Sequence, residues 1–160
     1  MSNAATDQTT RDGILSLVPQ QYPFRFLDRI LEVDSQKIVG QYTFDANLPF
    51  YPGHFPEVAV TPQSILIETM AQTVVVAMGL HLIHLDKQKG VGLDPADYVT
   101  LFTDVEVEFF RPVFPGDTVT IHGEKLMWRF RKIRSKASLY LASGELVATG
   151  TLSGMGVKKQ

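Results

Sequence analysis

The distribution of apolar residues predicts one long, largely buried helix. Apolar side chains over residues 61–85 surround the whole helix circumference, which indicates burial on most sides. Pro62 suits the start of this helix because its missing N–H would have no helical partner there, and Thr61 can act as the N-cap. A short helix is also predicted over residues 11–18, and it ends before Pro19.

Apolar and polar residues that alternate with a period of two predict six strands around this helix. The predicted strands cover residues 24–33, 37–44, 98–111, 118–128, 132–142 and 145–157. Asp34-Ser35-Gln36 and Ser143-Gly144 are typical of hairpin turns between neighbouring strands. One long helix and about six antiparallel strands form an α+β fold in which the helix lies against one concave face of the sheet.

The length of 160 residues suits one domain with one hydrophobic core. We assign residues 11–160 to that domain and the polar residues 1–10 to a disordered N-terminal segment without signal-peptide character. Within that segment, Ser2-Asn3-Ala4 resembles a cloning scar.

Charge and cysteine content exclude several classes of function. A net charge of −2 gives no bulk attraction to nucleic acid or to a membrane. The sequence has no cysteine, so it forms no disulfide, thiolate nucleophile or cysteine zinc site. Glu68, Gln72, His81 and His84 interrupt the apolar run 65–85, so we expect a soluble cytoplasmic protein rather than a membrane-inserted one.

Two ionisable residues are candidates for acid/base chemistry. Glu68 lies on an apolar helix, where desolvating a charge is expensive. With Ser64 and Gln72 it forms a polar stripe, which is either a solvent-facing stripe or a site. His54 lies in a turn between Gly53 and Pro56, a position in which a lone histidine is commonly structural or solvated. Together the two residues offer a base and an acid.

Four motifs resemble the FabZ/FabA-type 3-hydroxyacyl-acyl-carrier-protein dehydratases, and they occur in the family's order from about Ile14 to Val157. The motifs are Tyr22-Pro23-Phe24 with the block 27–32, Gly53-His54-Phe55-Pro56 with Pro62 and residues 67–72, Phe110-Arg111-Pro112-Val113 with Pro115-Gly116-Asp117, and Gly144-Glu145-Leu146-Val147-Ala148.

The resemblance implies a hotdog fold and a homodimer with a continuous sheet, with a trimer of dimers as the larger alternative. It also implies dehydration of a (3R)-3-hydroxyacyl-[acyl-carrier-protein] to the trans-2-enoyl thioester, without a metal or another cofactor. The partner would be an acyl carrier protein with a phosphopantetheine-linked chain.

The resemblance implies a role for each motif residue of the site. His54 would remove the α-hydrogen, Glu68 would assist departure of the β-hydroxyl, and Gln72 would orient Glu68. The backbone N–H of Gln63 would stabilise the thioester oxyanion at the start of the helix. The remaining residues, Gly53, Phe55 and Pro62, would shape the substrate loop.

Five positions depart from the family pattern, and at two of them Thr61 and Ser64 replace apolar residues. Gln63 replaces a glycine after the helix-opening proline, and Glu57 and Ala59 replace a glycine and a proline in the loop. Two alternatives to the dehydratase therefore stay open. One is a hotdog thioesterase in which Glu68 activates water, and the other is a non-catalytic subunit that binds acyl carriers.

Five basic residues fall within eight positions of the predicted β-hairpin at 129–136. They are Arg129, Arg131, Lys132, Arg134 and Lys136. This segment is either a solvated hairpin or a docking site for an acidic carrier protein, and no nucleic-acid motif accompanies it.

His81 and His84 lie three residues apart near the end of the long helix. They lack a third metal ligand, so we expect favourable charge at the helix C-terminus instead.

Overall fold

The computed structural model describes residues 7–90 and 92–160. The elements are α1 (Gln8–Leu17), β1 (Arg29–Val33), β2 (Lys37–Thr43), α2 (Gln63–Gln88), β3 (Tyr98–Phe109), β4 (Thr118–Arg129), β5 (Lys132–Leu141) and β6 (Leu146–Lys158). The six strands form one antiparallel sheet in the order β1-β2-β4-β5-β6-β3. The predicted α+β architecture, with one long helix against the sheet, is confirmed.

Helix α2 forms the core together with the inner face of the sheet. Its residues from Gln72 to Ile83 are all buried, and they pack on apolar side chains from the strands. Fully buried strand residues on this face include Ile38, Ile121, Ile133, Leu139 and Leu152. Length and composition alone would allow α2 to cross a membrane, but 83% of its most apolar stretch of 18 residues is buried inside the protein. It is therefore the core helix of the domain.

The middle of α2, residues 72–77, is π-helical, and α-helical segments flank it on both sides. Three glycines of the sheet, Gly40, Gly123 and Gly154, lie directly under it. A Cβ atom at Gly123 would lie 2.6 Å from Cγ1 of Val74, and one at Gly40 would lie 2.7 Å from Oγ1 of Thr73. The wide part of the helix therefore needs a trough without side chains, and we call these three residues the glycine trough.

The N-terminal boundary differs from the prediction. Helix α1 begins at Gln8, where the carboxylate of Asp7 accepts a hydrogen bond of 2.8 Å from the backbone N–H of Thr10. Assigning residues 8–10 to a disordered segment was therefore wrong, because a side-chain cap starts the helix three residues earlier. Residues 1–6 of that predicted segment lie outside the described residues.

Two further predicted boundaries were wrong. The strand predicted over residues 24–33 begins only at β1, residues 29–33. The carbonyl of Phe24 and the backbone N–H of Phe26 form hydrogen bonds with the side chain of Gln72 instead of with a neighbouring strand. Thr61 does not cap α2: its hydroxyl is 2.6 Å from the hydroxyl of Tyr51.

Strand β3 forms one edge of the sheet and carries apolar side chains at the surface. Leu101 is 56% exposed, Phe102 42% and Val105 39%. The outer edge of this strand pairs with no other strand in the described part of the chain. A long edge strand with exposed apolar side chains is a template for pairing with another strand.

Candidate active site

His54 lies in a tight loop that directs its imidazole ring. The backbone N–H of His54 donates to the carbonyl of Tyr51 at 3.0 Å, and the carbonyl of His54 accepts from Val60 at 3.0 Å. Its Nδ1 lies 3.0 Å from the carbonyl oxygen of Val60. A carbonyl can only accept, so Nδ1 carries the hydrogen in this bond and Nε2 of the neutral ring has a free lone pair. Nε2 is therefore the ring nitrogen that remains available to accept a hydrogen bond or a proton.

The turn after β3 connects this loop to the rest of the fold. The backbone N–H of Thr61 donates to the carbonyl of Val113 at 2.8 Å, directly before α2 begins. Asp117 closes the turn by accepting from the N–H of Phe114 at 2.8 Å, and Gly116 has a φ of +89°, which favours glycine. The motif around Pro112 thereby fixes the position of the helix start.

A cavity of about 490 Å³ opens beside His54 at the N-terminus of α2. Its apolar walls are formed by Phe55, Val60, Leu66, Phe109, Phe110 and Pro112, and His54, Thr61, Gln63 and Arg111 add polar groups. The first N–H groups of a helix have no intrahelical partner and carry partial positive charge. The cavity therefore combines an apolar surface, an imidazole ring and the N–H donors of a helix N-terminus.

Glu68 lines a different cavity, of about 190 Å³, on the side of α2 that faces β3. The other lining residues are Gln20, Ala71, Val75, Val76, Thr100, Leu101 and Phe102, most of which are apolar. The carboxylate is half-buried, and Gln72 Nε2 donates to its Oε1 at 2.9 Å.

Backbone hydrogen bonds fix the orientation of the Gln72 amide. Its Oε1 accepts from the N–H of Phe26 at 2.6 Å, and its Nε2 also donates to the carbonyl of Phe24 at 2.8 Å. Because the Gln72 side chain is fully buried, the amide cannot exchange these partners for water. One N–H of Gln72 is therefore aimed at Glu68.

One chain thus separates the two predicted catalytic residues, since His54 and Glu68 line two different cavities. The Glu68 cavity is bounded by β3, the strand with the unpaired edge.

Comparison with known sequences assigns the family. The family model of the FabA-like domain matches residues 18–152. The chain belongs to the FabZ/FabA dehydratase family. It is 36% identical over 141 residues to the 3-hydroxyacyl-[acyl-carrier-protein] dehydratase FabZ of Methylobacterium sp. (strain 4-46). The alignment covers 84% of this chain and 81% of that protein. It is 35% identical over 165 residues to the FabZ of Sinorhizobium fredii (strain NBRC 101917 / NGR234). That alignment covers 100% of this chain and 99% of the relative.

Solved structures confirm the hotdog fold that the family resemblance implied. The dehydratase heterocomplex ApeI:P from Xenorhabdus doucetiae superimposes with a TM-score of 0.71 at 16% identity, covering 91% of each chain. A hypothetical thioesterase with coenzyme A from Streptococcus pneumoniae TIGR4 gives a TM-score of 0.55 at 12% identity, covering 82% of this chain and 87% of that one. At such low identities the likeness shows the fold alone.

The polar stripe of α2 is not the solvent-facing stripe that the periodicity left open. Ser64 is exposed, Glu68 is half-buried and Gln72 is fully buried, so the stripe leads from the surface into the core. Two polar residues of the N-terminal motif have structural contacts instead. Asp28 accepts from the N–H of Thr43 at 2.9 Å, and Arg29 donates to the side chain of Gln41.

His81 contradicts the prediction of a charged pair at the end of α2. Its side chain is only 2% exposed, and burial together with the neighbouring His84 lowers its pKa to about 4 although Asp34 acts in the opposite direction. His81 is therefore neutral at pH 7. Among the described residues, no group of three or more histidine and carboxylate side chains is arranged to hold a metal ion.

The basic segment lies at the tip of the β4–β5 hairpin. Phe130 and Arg131 have φ values of 51° and 60°, as a two-residue turn of this kind requires, and Phe130 is 80% exposed. The guanidinium of Arg129 lies 5.2 Å from the ring centre of Phe130, and that of Arg131 lies 5.2 Å from the ring centre of Tyr98. These contacts orient the two arginines at the tip.

The other basic residues of the segment differ from the tip. Arg134 donates to Ser153 at 3.0 Å and forms an ion pair of 3.5 Å with Asp104, so part of its charge is compensated. Lys136 lies on the exposed face of β5, where it lines a shallow groove, and Lys132 is half-buried at the start of β5. The segment therefore offers two oriented arginines rather than five equivalent charges.

Several residues of the site were not predicted. Thr100, Leu101, Phe102 and Gln20 line the Glu68 cavity, although β3 and the segment before β1 are far from α2 in the sequence. The only available signal was the position of β3 as a long strand with apolar residues on one face, and that signal predicts burial rather than a cavity wall.

Proposed function

We propose that this protein is a 3-hydroxyacyl-[acyl-carrier-protein] dehydratase that converts the (3R)-3-hydroxyacyl thioester to the trans-2-enoyl thioester in acyl-chain synthesis. The observation that carries the proposal is the pair of oriented groups: His54 with a free Nε2, and Glu68 held by the buried amide of Gln72. Both line largely apolar cavities that suit an acyl chain. The FabZ relatives bear this activity in their names.

The reaction follows from these groups. Neutral His54 takes the α-proton at Nε2, and the electron pair of the C–H bond forms the Cα–Cβ double bond as the β-hydroxyl leaves. Glu68, directly or through a water molecule, supplies the proton that turns this hydroxyl into water. The thioester oxygen gains negative charge during the step, and the Gln63 N–H at the start of α2 stabilises it. Proton transfer from His54 back to Glu68 through solvent restores both groups.

The site is composite in this proposal, with His54 of one protomer beside Glu68 of another. Two copies that pair antiparallel through their β3 edges would extend the sheet across a twofold axis and cover Leu101 and Phe102. The separation of His54 and Glu68 into two cavities of one chain supports this arrangement. The minimal unit is then a homodimer, and a trimer of dimers would bury further surface. Sedimentation velocity distinguishes a monomer, a dimer and a hexamer.

The same pairing of two β3 strands supports the proposal that the acidic carrier protein binds at the tip of the β4–β5 hairpin. Strand β3 runs from Tyr98, which contacts Arg131, to Phe109 at the wall of the His54 cavity. Antiparallel pairing of two β3 strands places the Tyr98 end of one protomer near the Phe109 end of the other. The arginines at the hairpin tip would therefore flank the cavity entrance of the partner protomer, where steering of an acidic carrier is useful.

A product assay tests the proposed reaction. The protein is incubated with a 3-hydroxyacyl thioester on acyl carrier protein, and enoyl thioester and free thiol are followed together. Enoyl product without thiol is expected. Thiol release would identify a thioesterase instead, and neither product would identify a non-catalytic carrier-binding subunit. A Gln63→Gly variant in the same assay shows whether the side chain at the cavity mouth restricts the substrate.

Charge reversal tests the docking surface. Arg129→Glu together with Arg131→Glu should raise KM for the carrier-bound substrate about tenfold and leave KM for a small pantetheine thioester unchanged. Lys37→Glu, at an exposed position of β2, is the control with the same kind of charge change. An equal rise with both substrates would contradict carrier docking at the hairpin tip. The cytoplasm, where such carriers would meet the enzyme, is the proposed location.

A further inference from the structure

The π-helical segment of α2 is anchored to the sheet by a buried serine. Ser135 on β5 is 1% exposed, and its hydroxyl donates to the carbonyl oxygen of Val74 at 2.7 Å. Val74 lies in the middle of the π segment 72–77. The N–H of Met78 at the end of the segment bonds the carbonyl of Thr73, five residues back, so the backbone ladder changes its spacing there. An added donor at this point stabilises an otherwise rare helical form.

The glycine trough fixes the same segment from below. Three consecutive residues, Thr73, Val74 and Val75, fit over Gly40, Gly123 and Gly154, where even a methyl group would collide. Contact with these glycines holds the segment close to the sheet, while the cavity beside Val75 and Val76 leaves it space to shift when another restraint is removed. Ser135 and the glycine trough thus determine how α2 is rotated about its axis and how far it lies from the sheet at this point.

The π segment is directly connected to the carboxylate of Glu68. Gln72 is its first residue, and the Gln72 amide donates to Glu68 Oε1 at 2.9 Å. The backbone N–H of Gln72 also donates to the carbonyl of Glu68, which ends the first α-helical part. A shift of the π segment would therefore move Gln72 and, with it, the carboxylate.

We propose that Ser135 is a positioning residue, which holds the Glu68 carboxylate in its reactive place through the π segment and Gln72. The inference rests on the proposed dehydratase function for its kinetic consequence, while its structural part stands independently. Ser135 lines neither cavity of the site, and it lies on a different strand from every strand residue that does. Misplacing a catalytic group by a fraction of an ångström lowers the rate without removing the group.

The test compares Ser135→Ala with Ser138→Ala, a control on the same strand whose hydroxyl contacts Thr149 on the other face of the sheet. We expect kcat to fall about tenfold in Ser135→Ala with KM within twofold, and no change in the control. In a Glu68→Gln background, Ser135→Ala should change the residual rate by less than about twofold, because there is no carboxylate left to position. An equal fall in both backgrounds, or none in either, overturns the proposal.

Hydrogen exchange separates this proposal from the proposed function. Ser135→Ala should speed amide exchange in residues 72–78 more than elsewhere, and Ser138→Ala should not. If the wild-type protein forms no enoyl product, the dehydratase assignment fails, whereas unchanged exchange in Ser135→Ala overturns the anchoring role itself. Should the alanine variant not fold, Ser135→Thr and Ser135→Val provide a pair of equal size, and only the threonine variant should retain the rate.

Discussion

The two ends of α2 place histidine in opposite surroundings. At the N-terminal end, His54 donates through Nδ1 to the carbonyl of Val60 and faces a cavity of about 490 Å³. Near the C-terminal end, His81 is buried, and its Nδ1 has no hydrogen-bond partner among the described residues. The comparison teaches that a histidine suited to act as a base has a defined hydrogen bond at one nitrogen and a cavity beside its ring. Burial alone only makes it neutral.

The largest expected effect is the loss of the base. His54→Ala should lower kcat/KM about 10²–10⁴-fold, because a positioned general base contributes a factor of that size. His81→Leu removes the buried histidine of this comparison and is the control. It should leave the rate within about threefold. Steady-state kinetics on a carrier-bound 3-hydroxyacyl thioester measures both. A His54→Ala variant with nearly full activity would remove His54 from the mechanism.

Glu68→Gln should lower the rate about 10²–10³-fold, because the amide cannot supply a proton to the leaving hydroxyl. The free energy of unfolding should change by less than about 1 kcal/mol, since the carboxylate is only half-buried and an amide oxygen can still accept from Gln72. Urea denaturation checks this second part. A stability loss of several kcal/mol would instead identify Glu68 as a structural charge.

The buried histidine predicts loss of stability in acid. The folded pKa of His81 is about 4, against an ordinary value of 6.5, so the unfolded state binds more protons between these two values. The contribution of neutral His81 is complete above pH 6.5, falls as the pH drops from 6.5 to 4, and is then lost. The free energy of unfolding should therefore fall by roughly 2–3 kcal/mol between pH 7 and pH 4.5 from this group.

Urea denaturation at a series of pH values compares the wild-type protein with His81→Leu. The wild-type curve should fall more steeply between pH 6.5 and pH 4.5, and the difference between the two curves isolates His81. Parallel curves would show that His81 accepts a proton in the folded protein as readily as in the unfolded chain.

The smallest expected signal comes from shared sites. Inactive His54→Ala and inactive Glu68→Gln are mixed, unfolded and refolded together. Half of the randomly formed dimers contain both variants, and each such dimer has one intact site, so recovery should approach about a quarter of wild-type activity. Refolding each variant alone is the control. No recovery in a mixture that has demonstrably exchanged subunits would place the complete site within one chain.

The sequence was sufficient for the fold class, and it supplied the candidate site residues. The apolar residues around the whole of helix 61–85 come from burial on most sides, and the alternation in β2 and β4–β6 comes from burial on one face, which the local sequence shows directly. The candidate pair of His54 and Glu68 came from residue types in unusual surroundings, supported by the family motifs. Whether these two perform the proposed reaction stays a prediction until the variants are measured.

What the sequence did not predict depends on contacts between distant residues. Gln72 bonds Phe24 and Phe26 across 46–48 positions, which is why a strand predicted from residue 24 begins only at Arg29. The π segment depends on Ser135 and on three glycines from three different strands, and none of these shows a local pattern. His81 looked like a charged helix-end residue because periodicity does not tell how deeply the end of a helix is buried.

The glycine trough has a consequence for how this sequence can change over time. Gly154 and Val75 fill one volume together, and so do Gly123 and Val74. A larger residue on the strand is then tolerated only when the helix residue above it becomes smaller, so these positions should vary as pairs among descendants of this gene. Gly154→Ala alone should misfold or lose stability, and Val75→Ala should recover only part of that loss, because the added Cβ would still lie 2.9 Å from the carbonyl oxygen of Leu101. The middle of α2 and the glycine trough beneath it should therefore change together during evolution.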